Sequence, residues 1–214
     1  PTFVLTPFAT GRSTDASRDA AATARAIDDA LRRTGCFTVT GHGVDPAVRN
    51  EYFAQMRRFF ALPVADKAAI AIGRSDVHRG YVGVATEALA GAVSGAELDG
   101  AVTAAGDLKE TLDTGVEHGA DHPEVIAGTP LHGPNQWPDL PGFRVAVEAY
   151  RAQVIESALR VQRGLAVALG LDADFFGSQP GETMFHLRWL HFPPAEAVTP
   201  QPGQLGCGAH TDYG

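Results

Sequence analysis

Residues 182–192 read ETMFHLRWLHF, and Pro193-Pro194 end the run. Aromatic and branched side chains crowd this stretch, and a proline pair cannot continue a ladder, so the segment predicts a β-strand. Successive strand residues point to opposite faces. Met184, His186, Arg188, Leu190 and Phe192 therefore share one face, and Phe185, Leu187, Trp189 and His191 share the other. Working backwards, the longest helical signal lies just upstream. Phe143, Val147, Tyr150, Val154, Ala158, Val161, Leu165 and Ala168 hold one apolar stripe that stops at Gly170. At 1.5 Å per residue such a helix runs roughly 40 Å, long enough to brace a domain.

Further back the pattern stays helical. Ala20, Ala24, Ile27 and Leu31 draw an apolar stripe that Gly35 closes. A short strand, residues 36–40 (CFTVT), leads into the turn Gly41-His42-Gly43. Asp45-Pro46 then reads as N-cap and first turn of a second helix, with Val48, Tyr52, Met56 and Phe59 inward. Residues 91–106 (GAVSGAELDGAVTAAG) predict a loop or insertion, and the prolines of 128–141 an extended connection. Helices come first and strands begin only near the end of the sequence. The expected class is α+β.

The 214 residues carry 17 Lys+Arg against 25 Asp+Glu, a formal net charge of −8. Nothing in that balance offers a basic footprint for a nucleic-acid backbone. With 44% hydrophobic residues the chain can build a core. Its longest stretch free of charged and common polar side chains, 164–171, falls far short of the ~20 residues that span a bilayer. The first residues, Pro1-Thr2-Phe3-Val4-Leu5, show no basic leader region. Cys36 and Cys207 are the only cysteines, too few for a disulfide framework. A cytoplasmic setting is the expectation.

Candidate chemistry sits at the end of the sequence, in His210-Thr-Asp212. On a strand, positions i and i+2 share a face, so an imidazole and a carboxylate can converge on one ion. One neutral nitrogen with one anionic oxygen supplies two corners of a 2-His-1-carboxylate triad, the arrangement of non-haem Fe(II) oxygenases. The spacing alone is weak, but six segments occur around it in order. They are GCFTVTGHGV (35–44), RGY (79–81) with Glu87, DLKETLDTG (107–115), GPNQWP (133–138) with PGF (141–143), HFPP (191–194) and GAHTD (208–212). Together they resemble the isopenicillin N synthase-like family of 2-oxoglutarate/Fe(II)-dependent oxygenases.

The resemblance implies a helical N-terminal region packed on a double-stranded β-helix, or jelly roll, whose barrel is incomplete in this chain. It divides the sequence into a mixed helical region at 1–140, a bracing helix and connection at 141–181, and the first jelly-roll strands at 182–214. It implies His210 and Asp212 as metal ligands, with Fe(II), 2-oxoglutarate and O₂ as cofactor and co-substrates. The second histidine and the Arg-x-Ser that grips 2-oxoglutarate lie downstream in relatives, so the chain alone is expected to be an inactive N-terminal portion. The implied reaction is hydroxylation, desaturation or cyclisation of a small organic molecule. The alternatives are an isopenicillin N synthase-type oxidase that uses no 2-oxoglutarate, and a catalytically silent jelly-roll binding protein.

Arg188 and Phe192 are the candidate substrate or co-substrate contacts. A guanidinium fork suits a carboxylate, although a structural ion pair is the competing reading of Arg188. Phe192 occupies the place of a co-substrate-binding tyrosine in plant relatives, but lacks its hydroxyl. His42 reads as a turn residue and Phe59-Phe60 as core. For the Lys109-Glu110 pair the resemblance implies a structural role. His118 and His122 are four apart, but Gly119 and Pro123 argue for a loop rather than a zinc-binding helix face.

Overall fold

The computed structural model describes residues 1–5, 8, 15–87, 106–178 and 184–208. Helices and short strands both occur, in the order β1 (Thr2–Val4), α1 (Asp15–Thr34), β2 (Thr38–Thr40), α2 (Pro46–Phe60), α3 (Val64–Ala68), β3 (Gly80–Val82), β4 (Glu110–Gly115), α4 (Pro123–Ile126), α5 (Phe143–Ala168) and β5 (His186–His191). The α+β expectation holds. Among the described residues the strands form a two-stranded and a three-stranded sheet and no closed barrel. The predicted insertion at 91–106 falls outside the described residues except for Gly106, as do His210 and Asp212.

The chain forms two compact units. The first comprises Pro1–Gln55 and Gly142–Thr183. Its core is Leu5, Phe8, Ala24 and Ile27, against which Val161 and Leu165 of α5 pack. The stripes read from the sequence are thus the faces that meet. Helix α1 ends as expected, with Gly35 at φ 71° donating its N–H to the Leu31 carbonyl. A side chain at that φ would be strained, which is why glycine ends helices here. Asp45 caps α2, its Oδ1 accepting from Ala47 N at 2.7 Å. Strand β1 runs parallel to β2, pairing Thr2 with Thr38 and Val4 with Thr40. His42 is a turn residue, with Nδ1 accepting from Val44 N and its carbonyl taking Ser157 Oγ and Arg160 Nη1.

The second unit, Met56–Pro141 with Met184–Gly214, holds the antiparallel sheet β3-β4-β5. Asp113 lies opposite Arg188, and Glu110 opposite His191. Three of the recognised segments meet around β4. Asn135 takes both backbone groups of Gly115, accepting at 2.8 Å and donating at 3.0 Å. Gln136 donates to the carbonyls of Ala71 and Arg79. Arg79 is 1% exposed, and its guanidinium lies where a Cβ on Gly115 would stand, so a larger residue there would have to displace a buried, hydrogen-bonded arginine. These segments frame the sheet.

Candidate active site

Strand β4 carries two carboxylates three positions apart, which period-two alternation sends to opposite faces. On one face, Glu110 is fully engaged. Its Oε2 accepts from Lys67 Nζ at 2.7 Å and Tyr81 Oη at 2.5 Å, and its Oε1 accepts from His191 Nδ1 at 2.8 Å. Glu110 and Lys67 are 3% and 4% exposed. Burial alone would raise the Glu110 carboxyl, but the three donors and the Lys67 charge hold it below its usual range. The same burial, with the Glu110 anion beside it, pushes the Tyr81 phenol well above its ordinary value. The His191 ring stacks on Phe60 at 4.9 Å. Lys109 and Glu110 are both buried in ion pairs, in keeping with a structural reading.

The other face differs in kind. Asp113 is fully buried, and its Oδ1 accepts from both His186 Nε2 at 2.6 Å and Arg188 Nε at 2.7 Å. Its Oδ2 has no hydrogen-bond partner among the described residues. Burial would raise this carboxyl too, but the His186 and Arg188 hydrogen bonds and charges hold it low. Burial works against the Arg188 charge, and the two carboxylates Asp113 and Glu87 outweigh it. Arg188 Nη1 reaches Glu87 Oε1 at 3.3 Å. The His186 and Arg188 side chains remain 44% and 38% exposed. Met184, Leu190 and Phe192 are exposed apolar neighbours. The face thus offers donors and apolar surface to a molecule arriving from solvent.

The predicted alternation is observed: His186 and Arg188 meet Asp113 on one face, while His191 meets Glu110 on the other and Trp189 is buried. Arg188 does form an ion pair, as its competing reading held, yet keeps part of its guanidinium open. The Phe192 ring lies against Gly206, where an added Cβ would stand 3.3 Å from Cδ1. His122 caps the short helix α4, with Nδ1 accepting from Glu124 N at 3.3 Å. Asp113 is the residue that sequence reasoning did not single out. Its signal was available, since an acidic residue inside a quoted segment opposes Arg188 once the strands are paired.

The segment that leads to His210 and Asp212 is itself anchored. Gly208 N donates to Asp107 Oδ1 at 3.1 Å, and Asp107 Oδ2 accepts from Lys109 Nζ at 2.7 Å. A neutral imidazole nitrogen and a carboxylate oxygen two positions apart are donors that suit Fe(II).

The chain is similar to several known proteins. The family model described as non-haem dioxygenase in morphine synthesis N-terminal matches residues 4–140. A 2-oxoglutarate-Fe(II) type oxidoreductase of Emericella nidulans is 33% identical over 203 residues, covering 92% of this chain and 55% of the relative. A homoarginine-6-hydroxylase of Arabidopsis thaliana is 32% identical, with 88% and 53% covered. The crystal structure of a full-length Neurospora crassa protein in complex with alpha-KG superposes with a TM-score of 0.69 at 28% identity, covering all of this chain and 61% of that one. The chain therefore spans little more than half the length of the curated relatives it matches. It belongs to the non-haem 2-oxoglutarate/Fe(II) dioxygenase family.

Proposed function

We propose that the protein is a 2-oxoglutarate-dependent Fe(II) oxygenase that oxidises a small organic molecule, with hydroxylation as the default outcome. The 33% identity to a 2-oxoglutarate-Fe(II) type oxidoreductase over 92% of this chain carries the reading. His210 and Asp212 hold the iron on this account, and residues 182–214 form the first strands of a jelly roll. When bound, iron with 2-oxoglutarate and O₂ supplies the oxidising power, with succinate and CO₂ as co-products. The protein's part is to bind, orient and exclude water.

The Asp113 face of the sheet is the substrate wall. Arg188, held at Nε by Asp113 and at Nη1 by Glu87, keeps the exposed part of its guanidinium for a carboxylate or carbonyl. Leu190 and Phe192 supply the apolar surface beside it. A net charge of −8 favours a small-molecule substrate over a nucleic acid. Cys36 and Cys207 are both free thiols, which suits a cytoplasmic setting. Among the described residues, no helix is long and apolar enough to cross a membrane.

The test is succinate release from the full-length protein with Fe(II) and substrate candidates, with and without added 2-oxoglutarate. His210→Ala and Asp212→Ala should each lower turnover by at least ~100-fold, because each removes one of three expected protein ligands. Undiminished turnover in either variant would defeat the ligand assignment. Phe192 keeps one second reading in play, since it offers no hydroxyl to a co-substrate. Oxidation that proceeds equally without 2-oxoglutarate would favour an isopenicillin N synthase-type oxidase.

A further inference from the structure

Residues 106–108 and 204–208 are stitched together immediately before His210 and Asp212. Gln204 Nε2 donates to the Gly106 carbonyl at 2.6 Å, Leu108 N to the Leu205 carbonyl at 2.8 Å, and Gly208 N to Asp107 Oδ1 at 3.1 Å. Asp107 is in turn fixed from three sides. Its N–H donates to the Glu87 carbonyl at 2.7 Å, its carbonyl accepts from Ala85 N at 3.0 Å, and its Oδ2 accepts from Lys109 Nζ at 2.7 Å. Asp107 and Lys109 are 5% and 3% exposed, and Gly208 is buried. Lys109 Nζ also stands 3.5 Å from Glu87 Oε2, so the pair joins the cluster that holds Arg188.

We propose that Asp107 is a positioning residue for the iron-binding segment. Its buried carboxylate, oriented by Lys109, pins the backbone at Gly208, two residues before His210, so that the ligands of the H-x-D pair start from a fixed point. The proposal rests on the reading of His210 and Asp212 as iron ligands. The physical basis is preorganisation. Ligands whose backbone is already placed bind without the entropic cost of ordering it, and groups that orient ligands contribute roughly 10–100-fold to metal affinity. A carboxylate accepting a backbone N–H is a strong, charge-assisted bond, well suited to the task.

The experiment measures anaerobic Fe(II) binding and thermal unfolding of the full-length protein and four variants. Asp107→Ala removes the acceptor. Asp107→Asn keeps an oxygen that can accept from Gly208 N but gives up the anion facing Lys109. Gly208→Pro removes the donor and leaves the Asp107–Lys109 pair intact, so it decides the matter if Asp107→Ala fails to fold. His210→Ala checks the ligand reading. Asp107→Ala and Gly208→Pro should weaken Fe(II) binding about tenfold, while Asp107→Asn stays within about threefold of wild type despite a lower Tm. A merely structural Asp107 would instead lower Tm in both of its variants and leave the Fe(II) affinity of the folded protein unchanged. That result, or wild-type affinity in Gly208→Pro, would overturn the proposal. Wild-type affinity in His210→Ala would strike the ligand assignment itself, and the proposal with it.

Discussion

Glu110 and Asp113 lie on one strand, both are buried, and both are held ionised, yet they sit in opposite kinds of surroundings. Glu110 engages both oxygens with three donors, two of them from residues that are themselves buried. Asp113 loads a single oxygen with two donors whose side chains remain part-exposed. A carboxylate saturated from all sides has nothing left to offer a ligand, so the Glu110 face is scaffold. A carboxylate that orients a half-open arginine and histidine leaves them free to serve the proposed substrate contact. On one sheet, how fully the carboxylate is loaded separates the scaffold from the proposed substrate wall.

The largest expected effect lies on the Glu110 face. Lys67→Met leaves a buried anion without its cation and should cost about 3–5 kcal/mol of stability, read by denaturant unfolding. A loss under about 1 kcal/mol would mean that the face is wetter than its burial indicates. Next comes Arg188→Gln. His186 stays on the same Asp113 oxygen and solvent reaches this face, so the stability loss should be less than half that of Lys67→Met. Its principal effect should be a rise in substrate KM of at least ~10-fold, the loss of a charge-assisted fork. If KM holds and only stability falls, both faces are scaffold.

Acid exposes what the two carboxylates share. Each is held below its ordinary value, near 4.5 for Glu110 and 3.8 for Asp113, so each contributes stability that is fully present above those values. That contribution is lost as pH falls through the lowered folded values. Unfolding free energy should therefore stay level from about pH 7 to 5 as far as these groups are concerned, and fall below about pH 4. Asp113→Asn should make the acid-side fall shallower. The smallest effect should come from Thr111→Val. Thr111 is 1% exposed on the Asp113 face, and its Oγ1 has no hydrogen-bond partner among the described residues. Replacing it should change stability by no more than about 1 kcal/mol, and in the stabilising direction if anything. A larger loss would reveal a partner for that hydroxyl.

Much of this was legible because it is periodic or local. The stripe from Phe143 to Ala168 marked α5 with both its ends, and Asp45-Pro46 marked the start of α2. Alternation along 184–192 sorted His186 and Arg188 from Trp189 and His191 before any partner strand was known. What remained hidden was pairing across long separations. The bond from Arg188 to Asp113 spans 75 residues, and that from Gly208 to Asp107 spans 101. No local spacing encodes such partners, so Arg188 stood between substrate contact and ion pair, and the β4 carboxylates were visible only as letters in a recognised segment. The chemistry of His210 and Asp212 came from residue type and resemblance.

The bonds that tie Asp107 to Ala85 and Glu87 also have an evolutionary consequence. Chain leaving the scaffold at Glu87 comes back to it at Asp107, one hydrogen bond away. Whatever sequence joins those two points can be lengthened, shortened or rewritten with little effect on the scaffold, because doubling a loop costs only about 0.6 kcal/mol in closure entropy. Residues 88–105, rich in glycine and alanine, thus occupy a position where the sequence can change at little cost to the sheet and its buried ion pairs.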